Sequence, residues 1–247
     1  AFLDFAVEDC GAHRRWRPLP PKQREKLVGE AITTTEERLT PPMKTDDLEM
    51  LLAALKSNEK HDLYLAVGLV ALFGLRPAEL GVLSVEDGKL YCGSVKRNIQ
   101  TMKSNKKTKP RRVIAMDIPP LPGEGERLIQ LYDSGLVKLP LAITRAIKRS
   151  KASGSFKDVG DTFRQQLDRY WAWKQLKKRN PDLSPYSLRH GFAWRAHKEG
   201  EKALPVRDCA ALMGHTPIVH LQSYGRWTDE QGLEESVARH QGVKVAA

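Results

Sequence analysis

The sequence predicts a mainly helical α+β domain carrying a small antiparallel β-sheet, on three observations. Residues 61–73 (His-Asp-Leu-Tyr-Leu-Ala-Val-Gly-Leu-Val-Ala-Leu-Phe) are apolar nearly all round, as a central buried helix requires. From about residue 123 onward the apolar positions recur at helical spacing in one segment after another. Between these regions lies a short stretch with strand character, punctuated by the Asp87-Gly88 turn signal and a lysine-rich turn.

Taken in order, residues 2–7 (Phe-Leu-Asp-Phe-Ala-Val) read as the end of a helix, and the Ala-Phe start without Met points to a cut or processed product. Residues 14–43 are rich in Arg, Pro and Thr, including Pro18, Pro20, Pro21, Pro41 and Pro42, and read as an extended linker. Thr45 caps a helix whose first turn holds Asp46 and Asp47, and Leu48, Leu51, Leu52 and Leu55 form its apolar stripe. The buried helix over 61–73 stops at Gly74, and Pro77 suits the first position of another helix, which puts Arg76 at its start. Leu90–Cys92, Val95–Met102 and Arg111–Asp117 read as strands, the last two joined by the lysine-rich turn. Helices follow at roughly 123–133, 140–150, 158–179, 186–199, 205–213, 217–224 and 228–240, with Gly200 and Gly214 as C-terminal stops. There are no internal repeats.

Composition narrows the function classes. At 40% hydrophobic residues the chain can bury a core, and it holds no apolar run of membrane-spanning length and no N-terminal secretion pattern. Three widely spaced cysteines, Cys10, Cys92 and Cys209, suit a reducing cytoplasm and not a disulfide scaffold. No CxxC pair is present, and neither His190 with His197 nor His215 with His220 has the i,i+4 spacing of two ligands on one helix face, so no metal site is expected. Charge is the strongest global signal: 41 Lys+Arg against 30 Asp+Glu give a net +11. It is also clustered. Residues 96–112 carry Lys96, Arg97, Lys103, Lys106, Lys107, Lys109, Arg111 and Arg112 without an acid, and residues 134–157 add six more basic residues, again without one. Such acid-free stretches are the footprint of phosphate contact, with nucleic acid as the usual partner.

Three local patterns carry chemistry. They are Gly74-Leu75-Arg76-Pro77-Ala78-Glu79-Leu80, then Tyr186-Ser187-Leu188-Arg189-His190-Gly191-Phe192-Ala193, then Gly214-His215 with Tyr224 nine residues after the histidine. Each alone is a weak signal. Together they fit one reaction on a phosphodiester. Arg76 and Arg189 supply guanidinium forks for the non-bridging oxygens. The Tyr224 phenol attacks and can later leave, since it is far more acidic than an alkoxide. His215 hydrogen-bonds the phosphate or assists proton transfer, and a lysine on a hairpin protonates the departing 5′-oxygen. No cofactor and no metal is needed.

These residues resemble the signature of the tyrosine recombinases, the family of phage integrases, over about residues 44–240. Arg76 and Glu79 match the family's first box, Arg189, His190, Phe192 and Ala193 the second, and Gly214, His215 and Tyr224 the third. The resemblance implies a site-specific recombinase that breaks and rejoins DNA through a 3′-phosphotyrosine intermediate, in phage or mobile-element integration and excision. Glu79 would buttress the arginine box. Lys103 would be the catalytic lysine, with Lys106 next, while Lys96, Arg97, Lys106, Lys107, Lys109, Arg111 and Arg112 would contact DNA. The sequence departs from the family at Tyr186, where the family has histidine. A phenol donates one hydrogen bond to a phosphate but cannot carry an imidazolium's charge, which leaves Tyr186 either a catalytic residue or a helix-packing one.

The same resemblance implies a division into residues 1–16, the tail of a helical core-binding domain, a linker over 17–43 and a catalytic domain over 44–247. It implies double-stranded DNA attachment sites as substrate, a monomer when free, a homotetramer on DNA docked through the last helix, accessory DNA-bending proteins, no membrane, and a place at the nucleoid in a bacterial cytoplasm. Two other readings compete. A type IB topoisomerase-like enzyme shares the chemistry but relaxes supercoils without strand exchange. A non-catalytic basic DNA-binding module needs the charge but not the Arg, Arg, His and Tyr set.

Overall fold

The computed structural model describes residues 2–20, 23, 27, 40–95, 109–199, 203–224, 237–238 and 241. The chain divides into two compact units, Ala1–Arg38 and Leu39–Ala247. The described part of the first holds helix α1 (Phe2–Glu8) and a 3-10 turn at Arg14–Trp16, with Arg17 paired to Glu8.

The second unit is helical around a small sheet, as expected. Helix α2 (Thr45–Ser57) buries the stripe Leu48, Leu51, Leu52 and Leu55. That face packs on α3 (His61–Leu72), in which every residue from Leu63 to Leu72 is buried. An apolar helix of this kind has no polar face to offer solvent, so it must be surrounded. Helices α4 (Glu124–Ser134) and α8 (Pro185–Trp194) pack on it from other sides. Helices α5 (Leu141–Ser153), α6 (Lys157–Arg169) and α7 (Trp171–Arg179) lie between them in sequence, and α9 (Val206–Met213) and α10 (Pro217–Tyr224) follow. The sheet is a meander, β1 (Leu83–Glu86), β2 (Lys89–Cys92) and β3 (Arg111–Arg112), antiparallel throughout, with Asp87-Gly88 at the first turn. No helix among the described residues is long and apolar enough to cross a membrane.

Several expected elements differ in detail, for identifiable reasons. The first strand is Leu83–Glu86, which the sequence reading passed over, and the helix placed after Arg76 is a 3-10 segment, Pro77–Val82. The strand expected at Arg111–Asp117 ends at Arg112. The Val113 N–H still reaches Leu90, but the Met116 N–H turns to the Leu72 carbonyl, so the chain leaves the sheet to lie on the end of α3. The single helix expected at 158–179 breaks at Tyr170, whose ψ of 132° is extended, and α7 restarts with Trp173 fully buried. The helix expected at 186–199 starts one residue earlier under a Ser184 cap and passes into a π-helical turn at Arg195–Glu199. There the buried Arg195 donates to the Ala71 carbonyl at 2.7 Å. Of the strand placed at Val95–Met102 only Val95 is described, outside any strand. Gly200 and nearly all of the helix placed at 228–240 lie outside the described residues.

Candidate active site

The site begins where α3 ends. Gly74 has φ +60°, and a Cβ there would stand 2.7 Å from the Phe192 ring, so only glycine lets the end of α3 come this close to α8. Arg76 then caps the 3-10 segment. Its N–H donates to Glu79 Oε2 and its Nη1 to Glu79 Oε1, both at 2.8 Å. Glu79 is 1% exposed and is the hub of the arrangement. From β3, Arg111 gives it a two-pronged contact, Nη1 to Oε1 at 3.1 Å and Nη2 to Oε2 at 2.9 Å, while Arg111 Nε donates to the Leu212 carbonyl at 3.2 Å. From α8, Arg189 Nη1 lies 3.8 Å from Glu79 Oε2. Burial would raise the Glu79 pKa, but the hydrogen bonds and charge of Arg111, then the charges of Arg189 and Arg76, outweigh it and hold the carboxyl below 4.5.

Arg189 is 2% exposed and has its fork fixed by backbone. Nη1 donates to the Gly74 carbonyl and Nη2 to the Met213 carbonyl at 2.7 Å, joining the ends of α3 and α9. One carboxylate against three guanidinium groups leaves a surplus of positive charge. It faces an open cleft of about 470 Å³ lined by Arg76, Arg111, Lys109, Gly214, His215 and Thr216. This arrangement is built to receive an anion.

Gly214 ends α9 at φ +71° and turns the chain so that His215 enters the cleft. His215 Nδ1 lies 3.1 Å from Arg189 Nη2. Its Nε2 lies 2.8 Å from His220 Nδ1, and His220 Nε2 lies 2.8 Å from His197 Nε2. Burial first, then the nearby Arg189, push the His215 pKa down to about 3, so the imidazole is neutral at pH 7. Tyr224, at the end of α10, is 8% exposed and packs with Phe192, Ala193, Cys209 and Met213. Its ring stacks on His215 with centroids 5.8 Å apart, and its phenol hydrogen-bonds Arg189. Burial raises the phenol's pKa, against the lowering effect of Arg189.

The structure therefore brings Arg76, Arg189, His215 and Tyr224 together, and Lys109 lines the cleft with Arg76 and His215. Arg112 is exposed on β3, whereas Arg111, read from sequence as a DNA contact, has its guanidinium on Glu79 and Leu212. Tyr186 does not join the group. It is 46% exposed and opens on a different cleft beside Pro77, Ala78 and Arg164. Lys96, Arg97, Lys103, Lys106 and Lys107 lie outside the described residues. Sequence reading missed the Glu79–Arg111 pair and the imidazoles of His220 and His197. No local pattern signals a contact across 32 positions, and the histidines have no recognisable spacing.

Cys209 Sγ and the imidazoles of His197 and His220 offer ligand atoms within 4.8 Å of one another, a spacing a soft cation could bridge. Holding one would take both Nε2 lone pairs and force His220 to carry its proton on Nδ1. His215 would then have to present an N–H to the Arg189 N–H at 3.1 Å, donor against donor. We therefore read these histidines as a hydrogen-bonded column.

Gly214→Ala checks the geometry. A Cβ would stand 2.7 Å from the Arg111 guanidinium carbon, and alanine at φ +71° costs about 1–2 kcal/mol before that clash. The expected outcome is a lower denaturant midpoint with an unchanged m-value.

No family profile matches the chain. Among curated proteins it is similar to Excisase C of Nostoc sp., at 32% identity over 162 residues, covering 65% of this chain and 28% of that protein. It is equally similar to Excisase A of the same organism, at 32% over 161 residues, covering 65% of this chain and 30% of that one. The matched part of the chain thus spans less than a third of the length of either relative. Among solved structures, XerA recombinase aligns over 97% of this chain and 81% of its own, with a TM-score of 0.50 and 17% identity, a likeness of fold.

Proposed function

We propose, from the premise that this chain is a catalytic domain of the tyrosine recombinase family, that it breaks and rejoins DNA by site-specific recombination through a covalent phosphotyrosine at Tyr224. The premise is supported by the three sequence boxes, by the fold shared with XerA recombinase and by the excisase relatives. The observation that carries the reaction is that Arg76 and His215 line one basic cleft while Arg189, buried against His215, holds the Tyr224 phenol beside them.

In this reading a phosphodiester sits at the mouth of the cleft, its non-bridging oxygens held by Arg76 and Arg189. These groups are already oriented by Glu79 and by the Gly74 and Met213 carbonyls, so little reorganisation accompanies charge build-up. Tyr224 attacks the phosphorus, and the 5′-oxygen leaves with a proton from a lysine of the β2–β3 connection. The phosphotyrosine conserves the bond's free energy, and a DNA hydroxyl later displaces the phenol. A homotetramer on double-stranded attachment sites, assisted by DNA-bending proteins, is the working assembly of this proposal, and integration or excision of a mobile element is its outcome. Residues 1–16 are proposed to belong to a helical core-binding domain.

The test uses nicked suicide duplexes covering candidate attachment sites, with an SDS-resistant protein–DNA adduct as readout. Wild type is expected to form the adduct. Measurable duplex binding without any adduct would favour the non-catalytic binding module instead. Arg76→Ala is expected to slow single-turnover adduct formation by about 10²–10³-fold, the usual cost of removing one preorganised donor to the transition state. An unchanged rate would remove Arg76 from the mechanism.

A further inference from the structure

The proposed chemistry leaves one role unfilled. Attack by Tyr224 needs a group to take the phenolic proton, and Tyr186 is exposed on another cleft. The column of imidazoles beneath His215 can fill it, because one residue dictates every proton in the column.

Arginine only donates, so the 3.1 Å contact from Arg189 Nη2 makes His215 Nδ1 an acceptor. A neutral His215 then carries its proton on Nε2 and donates to His220 Nδ1 at 2.8 Å. His220 in turn carries its proton on Nε2 and donates to His197 Nε2 at 2.8 Å. His197 is left with an N–H on Nδ1, and its backbone hydrogen bond at Leu204 favours the protonated form, as a carbonyl acceptor does. Every link joins a donor to an acceptor.

We propose that His215 takes the Tyr224 proton, and that His220 and His197 are positioning residues that hold His215 with its Nδ1 lone pair facing the arginines; this rests on the function proposed above. When phosphate enters, its oxygens take over the Arg189 N–H and free that lone pair. The Tyr224 O–H bond then breaks, its proton passing to His215 Nδ1 as the phenolic oxygen bonds to phosphorus. The bond from phosphorus to the 5′-oxygen breaks with its electron pair, and that oxygen takes a proton from the lysine ammonium. His215 gains the charge the lysine loses. The hydrogen bonds to His220 and His197 let that proton move toward the half-buried His197.

The charged surroundings fit. His215 faces Arg189, Arg76, Arg111, His220 and Tyr224, His220 faces His215, Tyr224, Cys209, Arg189 and His197, and His197 lies beside Lys198 and Cys209. Burial and then the charges of His197 and Arg189 lower His220 to about 4, so the column is neutral at pH 7. An anion between the arginines reverses part of that depression and raises the basicity of His215 when substrate is bound.

Two measurements test this. Long-range ¹⁵N–¹H correlation spectra of the histidine rings in the free chain should give Nε2–H tautomers for His215 and His220 and an Nδ1–H tautomer for His197. An Nδ1–H form of His215 overturns the proposal, and this readout does not depend on cleavage. In the suicide-duplex assay, His220→Leu should slow adduct formation about 10- to 100-fold, as losing an orienting partner does at metal-bound histidines. His220→Asn should recover most of the rate, since its Oδ1 can accept from His215 as Nδ1 does. The leucine variant should also regain rate as pH rises and the phenol ionises unaided. Leucine and asparagine variants equally slow, with the wild-type pH dependence, would make His220 merely structural and overturn the positioning role. A wild type that forms no adduct overturns the proposed function and the acceptor role with it, while the tautomers still decide whether His220 and His197 orient His215.

Discussion

Tyr224→Phe should form no SDS-resistant adduct on any suicide duplex while binding DNA as wild type does. The substitution removes one oxygen from a residue that is 8% exposed and otherwise packed through its ring against Phe192, Cys209 and Met213. The apolar contacts remain, and the lost hydrogen bond to the charged Arg189 is worth about 1.5–3 kcal/mol. Fold and DNA affinity should therefore persist, and the loss should be purely chemical. Among the described residues the hydroxyl bonded to Arg189 is that of Tyr224, so the adduct should fall to the assay background and not merely slow. Residual adduct at a tenth of the wild-type rate would mean that another residue attacks phosphorus, and the covalent assignment would fail. The electrophoretic mobility shift of an intact duplex checks the binding half. Its affinity should fall steeply with salt in both proteins, because phosphate contacts release counterions.

Glu79→Ala should be the most destabilising single change in the site. Glu79 is the carboxylate on which Arg76 and Arg111 converge, with Arg189 nearby, and it is 1% exposed. Removing one partner of a buried ionic group leaves the others desolvated and mutually repelling, at a cost of about 3–5 kcal/mol. In a chain of this size that is a drop of roughly 10 °C in melting temperature. Glu79→Gln keeps an acceptor oxygen without the charge and should fall between the two. The pH dependence has a definite sign. The folded-state pKa lies below the ordinary 4.5, so between the two values the unfolded chain binds more protons than the folded one. The stability contributed by Glu79 is thus complete above about pH 4.5 and is lost as pH falls through the folded value. The gap in unfolding free energy between wild type and Glu79→Ala should accordingly narrow in acid. A gap constant with pH would mean that the carboxylate charge is not what holds the arginines.

Much of this was legible in the chain because it is set by local patterns. The apolar run over 61–73 could only be an interior helix, and the Leu48, Leu51, Leu52 and Leu55 stripe marked the face that covers it. Pro77 placed Arg76 at a helix start, and Gly214 marked the turn that delivers His215. Where tertiary contacts overrode local preference, the reading went astray. The segment 113–117 has strand character but leaves the sheet, because the end of α3 offers Met116 a backbone partner. Residues 158–179 are helical in pattern throughout, yet the chain turns at Tyr170 to bury Trp173.

By itself, then, the sequence determined the mainly helical fold with a small antiparallel sheet and singled out Arg76, Arg189, His215 and Tyr224 as a candidate set, since capping, periodicity and box spacing act over a few residues. Only the tertiary structure decided that Arg111 turns inward to Glu79, that Tyr186 looks away from the cleft and that His220 and His197 stand beneath His215. Each depends on contacts between elements far apart in the chain or on the direction a side chain takes once its helix is docked. The burial that forces those charges and imidazoles to find partners exists only in the folded state.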